Sequence, residues 1–152
     1  KMMKQIKIDK TFGTKLENVS YYDRKGAYLL IVAQNKAAVV RTPKGYFLLG
    51  GGVEAGEDHE ACIRREAHEE IGFDVEIVNF FASADQYGYH EKYGHMHPIQ
   101  AYYGGKLVKK VMEPIELDHE LVWIPVDQIE SLMYLELQAW ALRQYADHML
   151  CQ

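Results

Sequence analysis

Cysteine is scarce. The 152 residues contain two, Cys62 and Cys151, in no CxxC or other metal-like spacing. That excludes a disulfide framework and a sulfur-ligated metal site, and it fits two unpaired thiols in a reducing cytoplasm. Long apolar runs are missing too: none approaches the ~20 residues that a membrane-spanning helix needs. The start, Lys1-Met2-Met3-Lys4-Gln5-Ile6, carries positive charge without the apolar stretch of a signal peptide behind it. There is no linker, no low-complexity tract and no internal repeat. Basic charge is in short supply, with 17 Lys and Arg against 22 Asp and Glu and a formal net charge of −5. The footprint of a protein that grips a nucleic-acid polymer is therefore not visible. These absences leave one cytoplasmic domain over residues 1–152 with no membrane partner. A chain of this size buries roughly 68–70% of its unfolded surface and needs no staples.

What is present is an ordinary globular composition, 48% apolar and 26% charged, with tyrosine prominent at 11 residues. The apolar runs are short. Gly26 to Gln34 and Ala37 to Arg41, broken by Gln34-Asn35-Lys36, read as a β-hairpin. Tyr46 to Leu49 reads as a further strand, followed by a glycine loop from Gly50 to Gly56. From Glu57 to Ile71 the period changes to helical, with Ile63, Ala67 and Ile71 four residues apart, Asp58 as N-cap and Gly72 as C-terminal cap. Asp74 to Ala84 and Met96 to Tyr103 read as strands, the second turning at Gly104-Gly105 into Lys106 to Val108. Leu121 to Ile124 is a short strand ended by Pro125, and Leu135 to about Leu150 is an amphipathic helix. Strands with one helix inserted and another at the end predict a layered α/β domain.

The acid is concentrated. Between Glu54 and Glu70 seven acidic residues face two arginines, matching the formal charge of the whole chain. Glu66, Glu69 and Glu70 stand at i, i+3 and i+4, within an arc of roughly 100° on one side of the helix. Like charges at that spacing cost an isolated helix about 0.2–0.5 kcal/mol per pair. Two readings remain at this point: a solvated charged face, or hard oxygen donors for an octahedral Mg²⁺ or Mn²⁺ ion.

Spacing joins the glycine loop to this helix. From Gly51 the chain runs five residues to Glu57, seven more to Arg65-Glu66-Ala67-His68-Glu69-Glu70, and on to Gly72-Phe73. This is the box G-x5-E-x7-R-E-U-x-E-E-x-G-U, where U is a bulky apolar residue. Ala67 is small and Phe73 aromatic for U, and Leu49 stands where proline is common. On these residues the sequence resembles the Nudix hydrolases, the MutT-like pyrophosphohydrolases, and Leu121 to Val126 looks like the family's last strand. The resemblance implies an α/β/α sandwich around a mixed sheet, with the box as a loop–helix–loop. It also implies hydrolysis of a nucleoside diphosphate linked to another moiety, with a small-molecule nucleotide as substrate. Glu66, Glu69 and Glu70, with the Gly51 carbonyl, would hold Mg²⁺ or Mn²⁺. Glu66 or Glu69 would serve as general base, and Arg65 paired with Glu57 would orient the carboxylates.

Outside the box the candidates are weaker. His90, His95 and His97 form a histidine-rich stretch suited to polar surface or substrate contact, with a base or a soft-metal site as the alternative. Glu116, Asp118 and Glu120 precede the last strand, and one of them could join the metal ligands. Tyr87, Tyr89 and Tyr93 could stack a base. Tyr89 lies 16 residues beyond Phe73, a spacing that the family associates with dinucleoside polyphosphates, and Gly88 occupies the place where ADP-ribose hydrolases carry proline. The expected substrate is a (deoxy)nucleoside triphosphate. The alternatives are a dinucleoside polyphosphate and a catalytically silent Nudix-fold nucleotide sensor. A homodimer is compatible with all three.

Overall fold

The computed structural model describes residues 7–152; the charged start Lys1–Ile6, read above as no signal peptide, lies outside the described residues. Ten strands and three helices follow in chain order. They are β1 (Lys10–Phe12), β2 (Tyr22–Leu30), β3 (Val32–Ala33), β4 (Lys36–Thr42), β5 (Gly45–Phe47), β6 (Leu49–Gly52) and α1 (His59–Ile71). Then come β7 (Phe73–Gln86), β8 (Gly88–His90), β9 (Gly94–Lys110), β10 (Glu120–Pro125), the single turn α2 (Ile129–Leu132) and α3 (Glu136–Leu150). No helix among the described residues is long and apolar enough to cross a membrane.

Six strands form a mixed sheet in the order β1-β7-β9-β2-β6, with β8 paired to β9. β2 runs parallel to β9 and antiparallel to β6, and β1 runs parallel to β7. A smaller antiparallel sheet, β10-β4-β3 with β5 on β4, extends from it. Alternation along the strands divides the core in two. Leu29, Val40 and Leu49 join Cys62, Ile63, Ala67 and Ile71 of α1 on one face, while Leu30, Val39 and Leu48 join Leu137, Leu142 and Tyr145 of α3 on the other. The result is a mixed sheet between two helical layers, the α/β/α sandwich.

Three readings of the sequence need correction, and two strands are unexpected. The run Gly26 to Gln34 is not one arm of a hairpin: Tyr22–Leu30 enters the large sheet, and only Val32–Ala33 folds back on Lys36–Ala37 through Gln34 (φ 53°) and Asn35 (φ 61°). A continuous apolar run carries no register signal, so the break at Ile31 leaves no mark. Second, Gly50 to Gly52 are not loop residues, for Leu49–Gly52 pairs with Leu29–Gly26. Third, β9 passes straight through Gly104-Gly105. A Cβ at Gly104 would stand 2.7 Å from the Tyr145 hydroxyl, and one at Gly105 would stand 2.6 Å from Leu29 Cδ1. These glycines answer to packing rather than to a turn. The two unexpected strands, β1 and β8, have three residues each and no periodicity to announce them.

Helix α1 follows its local signals. Asp58 Oδ1 accepts the Ala61 N–H at 2.8 Å, and Gly72, with φ 73°, donates back to the carbonyls of Ala67 and His68. The helix begins two residues after the predicted Glu57, which is drawn instead into the chain's turn before the cap.

Candidate active site

Strand β6 and helix α1 meet along a seam without side chains on one side. A Cβ on Gly51 would land on the Glu66 carboxylate oxygen Oε2, so only glycine lets Glu66 lie against this strand. Glu70, buried beside it, accepts the Gly50 N–H on Oε1 at 3.0 Å and faces His119 Nδ1 from Oε2 at 3.1 Å. The Cys62 thiol lies beneath the same strand and donates towards the carbonyls of Gly51 (3.4 Å) and Gly52 (3.5 Å).

Arg65 is the hub. Its Nε and Nη2 fork onto Glu57 at 2.6 and 3.0 Å, Nη1 donates to Glu69 at 3.0 Å and Glu66 at 3.1 Å, and Nη2 also donates to the Gly52 carbonyl at 3.0 Å. One guanidinium thus fixes three carboxylates and the end of β6, which the point charge of a lysine could not do. Glu57 in turn accepts the Glu54 N–H at 2.8 Å. The structure therefore brings Glu57, Arg65, Glu66, Glu69, Glu70 and Gly51 to one place.

The electrostatics are lopsided. Burial, with Glu69 beside it, raises the Glu66 carboxyl to about 7. Burial also holds Glu70 well above the carboxylate range, against the pull of the Gly50 N–H and with Glu66, Glu116 and Glu69 adding to the rise. The Arg65 hydrogen bond lowers Glu57. The carboxylates outnumber the Arg65 guanidinium that ties them together, and a hard divalent cation is what such an oxygen donor set accepts.

The late loop reaches the same end of α1. The N–H groups of Ile115 and Glu116 donate to the Glu69 carbonyl at 2.8 and 2.9 Å, and ligand atoms of Glu116, Asp118 and His119 lie within 4.8 Å of one another. Glu120, by contrast, turns away to pair with Arg41. His119 escaped the sequence reading because a lone histidine 49 positions from Glu70 carries no local signal.

The tyrosines and the other histidines lie elsewhere. Tyr87 stacks on His97 at 4.2 Å and 8°, and His97 spends its nitrogens on Asp23 (2.9 Å) and Asp85 (2.7 Å). Tyr89 is 67% exposed and meets His95 edge-on, while His90 meets Tyr93. The histidine-rich stretch is thus dispersed among aromatic contacts.

With this geometry in view, the match to known proteins is direct. The model of the NUDIX domain matches residues 18–147. The chain belongs to the Nudix domain family. Among curated proteins, it is 28% identical over 127 residues to the NAD-capped RNA hydrolase NudC of Stutzerimonas stutzeri (strain A1501), a match covering 75% of this chain and 41% of that protein. The chain thus spans about two fifths of the length of that relative. In fold it is similar to a NUDIX hydrolase from Nitrosomonas europaea (TM-score 0.69, 16% identity, 84% of this chain and 90% of that one). It is also similar to the MutT protein from Methanosarcina mazei Go1 (TM-score 0.65, 16% identity, 89% and 100%) and to a UDP-X diphosphatase (TM-score 0.64, 22% identity, 86% and 66%). At these identities the Nudix structures speak for the fold.

Proposed function

We propose that the chain is a pyrophosphohydrolase that cleaves the diphosphate linkage of a nucleoside diphosphate derivative, with Mg²⁺ or Mn²⁺ held by Glu66, Glu69 and Glu70 and the Gly51 carbonyl. The observation that carries this is Glu66 lying on a side-chain-free strand, next to the buried Glu70, with the Arg65 guanidinium shared between Glu66 and Glu69. A bound divalent cation would offset the carboxylate charge and polarise the phosphoryl oxygens of a polyanionic substrate. The rest falls to the protein. Arg65 and Glu57 hold the carboxylates in place, and the glycines of β6 let the diphosphate approach the backbone. Glu66, whose carboxylate lies against β6, is the fitting general base for the attacking water, with Glu69 as the alternative.

The test is Glu70→Gln. It preserves shape while removing a charge, so turnover should fall by orders of magnitude with the fold intact. Full metal-dependent activity in Glu66→Gln, Glu69→Gln and Glu70→Gln alike would sink the reading. The catalytically silent sensor is separated from the enzyme by product release with and without Mg²⁺ across a nucleotide library.

Two substrate classes compete. The (deoxy)nucleoside triphosphate fits a small Nudix domain without long insertions. A linkage between two nucleoside halves is favoured by the likeness to NudC, whose name describes NAD-capped RNA as its substrate, and by the free ring of Tyr89. We give the second class precedence, since it draws on the likeness to NudC as well as on an exposed aromatic.

A further inference from the structure

β6 closes one end of the six-stranded sheet, and from Gly50 to Gly52 it carries no side chains. Consecutive residues of a strand address opposite faces. Gly51 meets the Glu66 carboxylate. Gly52 meets a guanidinium: a Cβ there would stand 3.3 Å from Nη2 and 3.4 Å from Nε of Arg24. An acid and a base thus lie against the two faces of one glycine ribbon, one residue apart, at the rim of the sheet.

Arg24 stands on β2, two residues before Gly26, the register partner of Gly52. It is exposed, and among the described residues it makes no ion pair and no side-chain hydrogen bond. The other four arginines do: Arg41 pairs with Glu120, Arg64 with Glu60, Arg65 with Glu57, Glu66 and Glu69, and Arg143 with Glu130 and Asp147. A guanidinium left without an acid in a chain of net negative charge presents a free fork for a planar or tetrahedral oxyanion.

Tyr28 completes the place. Its ring lies over two glycines, since a Cβ on Gly26 would come within 2.8 Å of Cε2 and one on Gly50 within 2.7 Å of Cδ1. Its hydroxyl, like the Arg24 guanidinium, has no hydrogen-bond partner among the described residues. Burial raises the phenol pKa; nearby Arg24 opposes the rise, and Glu70, Cys62 and Glu66 add to it. The hydroxyl therefore keeps its proton and remains a donor.

We propose that Arg24, with the Tyr28 hydroxyl, binds the phosphoryl group of the substrate that faces away from the Glu66–Glu69–Glu70 platform, so that the diphosphate straddles the rim of β6. This rests on the pyrophosphohydrolase reading of the same site and adds to it a residue outside the box. Neither Arg24 nor Tyr28 is needed to assemble the carboxylates, so the subsite and the platform are separable by mutation.

The experiment uses methylenediphosphonate, a non-cleavable diphosphate without a base, titrated by calorimetry into the full chain with Mg²⁺. Arg24→Gln should weaken its binding at least tenfold, Arg24→Lys should recover part of the loss, and Tyr28→Phe should give a smaller loss. Mn²⁺ binding without diphosphonate, read by electron paramagnetic resonance, and the melting temperature should stay at the wild-type values in Arg24→Gln. Arg143→Gln, far from the box, should match the wild type in diphosphonate and Mn²⁺ binding. Unchanged diphosphonate affinity in Arg24→Gln overturns the assignment, as does a parallel loss of Mn²⁺ binding or of thermal stability. A wild type that binds no diphosphonate yet hydrolyses a nucleotide overturns the subsite alone. One that does neither, at any Mg²⁺ or Mn²⁺ concentration, overturns the pyrophosphohydrolase reading with it.

Discussion

Replacing Gly51 by alanine would set a methyl group on a Glu66 carboxylate oxygen, while the backbone at Gly51 has no positive φ that alanine would resist. The cost therefore falls on the position of Glu66 rather than on the chain. Misplacing a catalytic group by about 1 Å costs on the order of 100-fold in rate. Gly51→Ala should accordingly lower kcat/KM by about that factor or more while the melting temperature falls only a few degrees, as steady-state kinetics and thermal denaturation would show. Wild-type kinetics in this variant would mean that the contact of Glu66 with β6 has no part in the reaction. The Cys62 thiol shares in the same construction. Burial, with Glu57 nearby, raises it to about 11, so it stays protonated and can donate to the Gly51 and Gly52 carbonyls.

Helix α1 carries the electrostatic consequence. In the metal-free protein the Glu66 carboxyl titrates at about 7, above the value of about 4.3 for an unstrained glutamate. The folded state thus holds this proton more tightly than the unfolded state does. The resulting stabilisation is complete below the unfolded pKa and is lost as the pH rises through 7. Burial of Glu70 acts in the same direction. Without metal, the melting temperature should therefore fall between pH 5 and pH 8. At the proposed metal site a divalent cation would bind the ionised carboxylates, and a hundredfold excess over Kd would be worth about 2.7 kcal/mol. Mg²⁺ should raise the melting temperature more at pH 8 than at pH 5, and Glu66→Gln should flatten both dependences. Equal Mg²⁺ shifts at the two pH values would remove Glu66 from the metal site.

At the same scale, elements differ in how far their own sequence announces them. For α1 the cap, the stop and the apolar period all lie within 15 residues, and Asp58, Gly72 and the stripe Ile63–Ala67–Ile71 take the predicted places. The glycines of β6 and β9 are another matter. Gly51 answers to Glu66 from α1, and Gly104 to Tyr145 from α3; such demands come from elsewhere in the chain and leave no trace in the surrounding residues. His119 reaches Glu70 across 49 positions, and Arg24 reaches Gly52 through strand pairing. The box is legible because loop, helix and ligands are contiguous, whereas the groups that adjoin it are brought by the sheet.

Across the whole molecule the sheet acts as a ruler. Tyr89 pairs with His95 on β9, one residue before Met96, which pairs with Tyr22 on β2, four residues before Gly26, the partner of Gly52. With strands about 4.8 Å apart and residues about 3.3 Å apart along them, Tyr89 lies roughly 20 Å from Gly52. The ring is too distant to stack the base of a nucleotide whose phosphates rest on the platform. It could meet only the far half of a longer substrate, and the free exposure of its ring allows that, whereas Tyr87 is already occupied by His97. A base–aromatic stack is worth about 1–3 kcal/mol, or roughly 5- to 150-fold in affinity. Tyr89→Ala should therefore raise KM by a factor in that range for a dinucleoside substrate such as diadenosine tetraphosphate, and leave KM for a mononucleotide within twofold. Losses of equal size on both substrates, or on neither, would withdraw Tyr89 from substrate binding and return the preference to the nucleoside triphosphate.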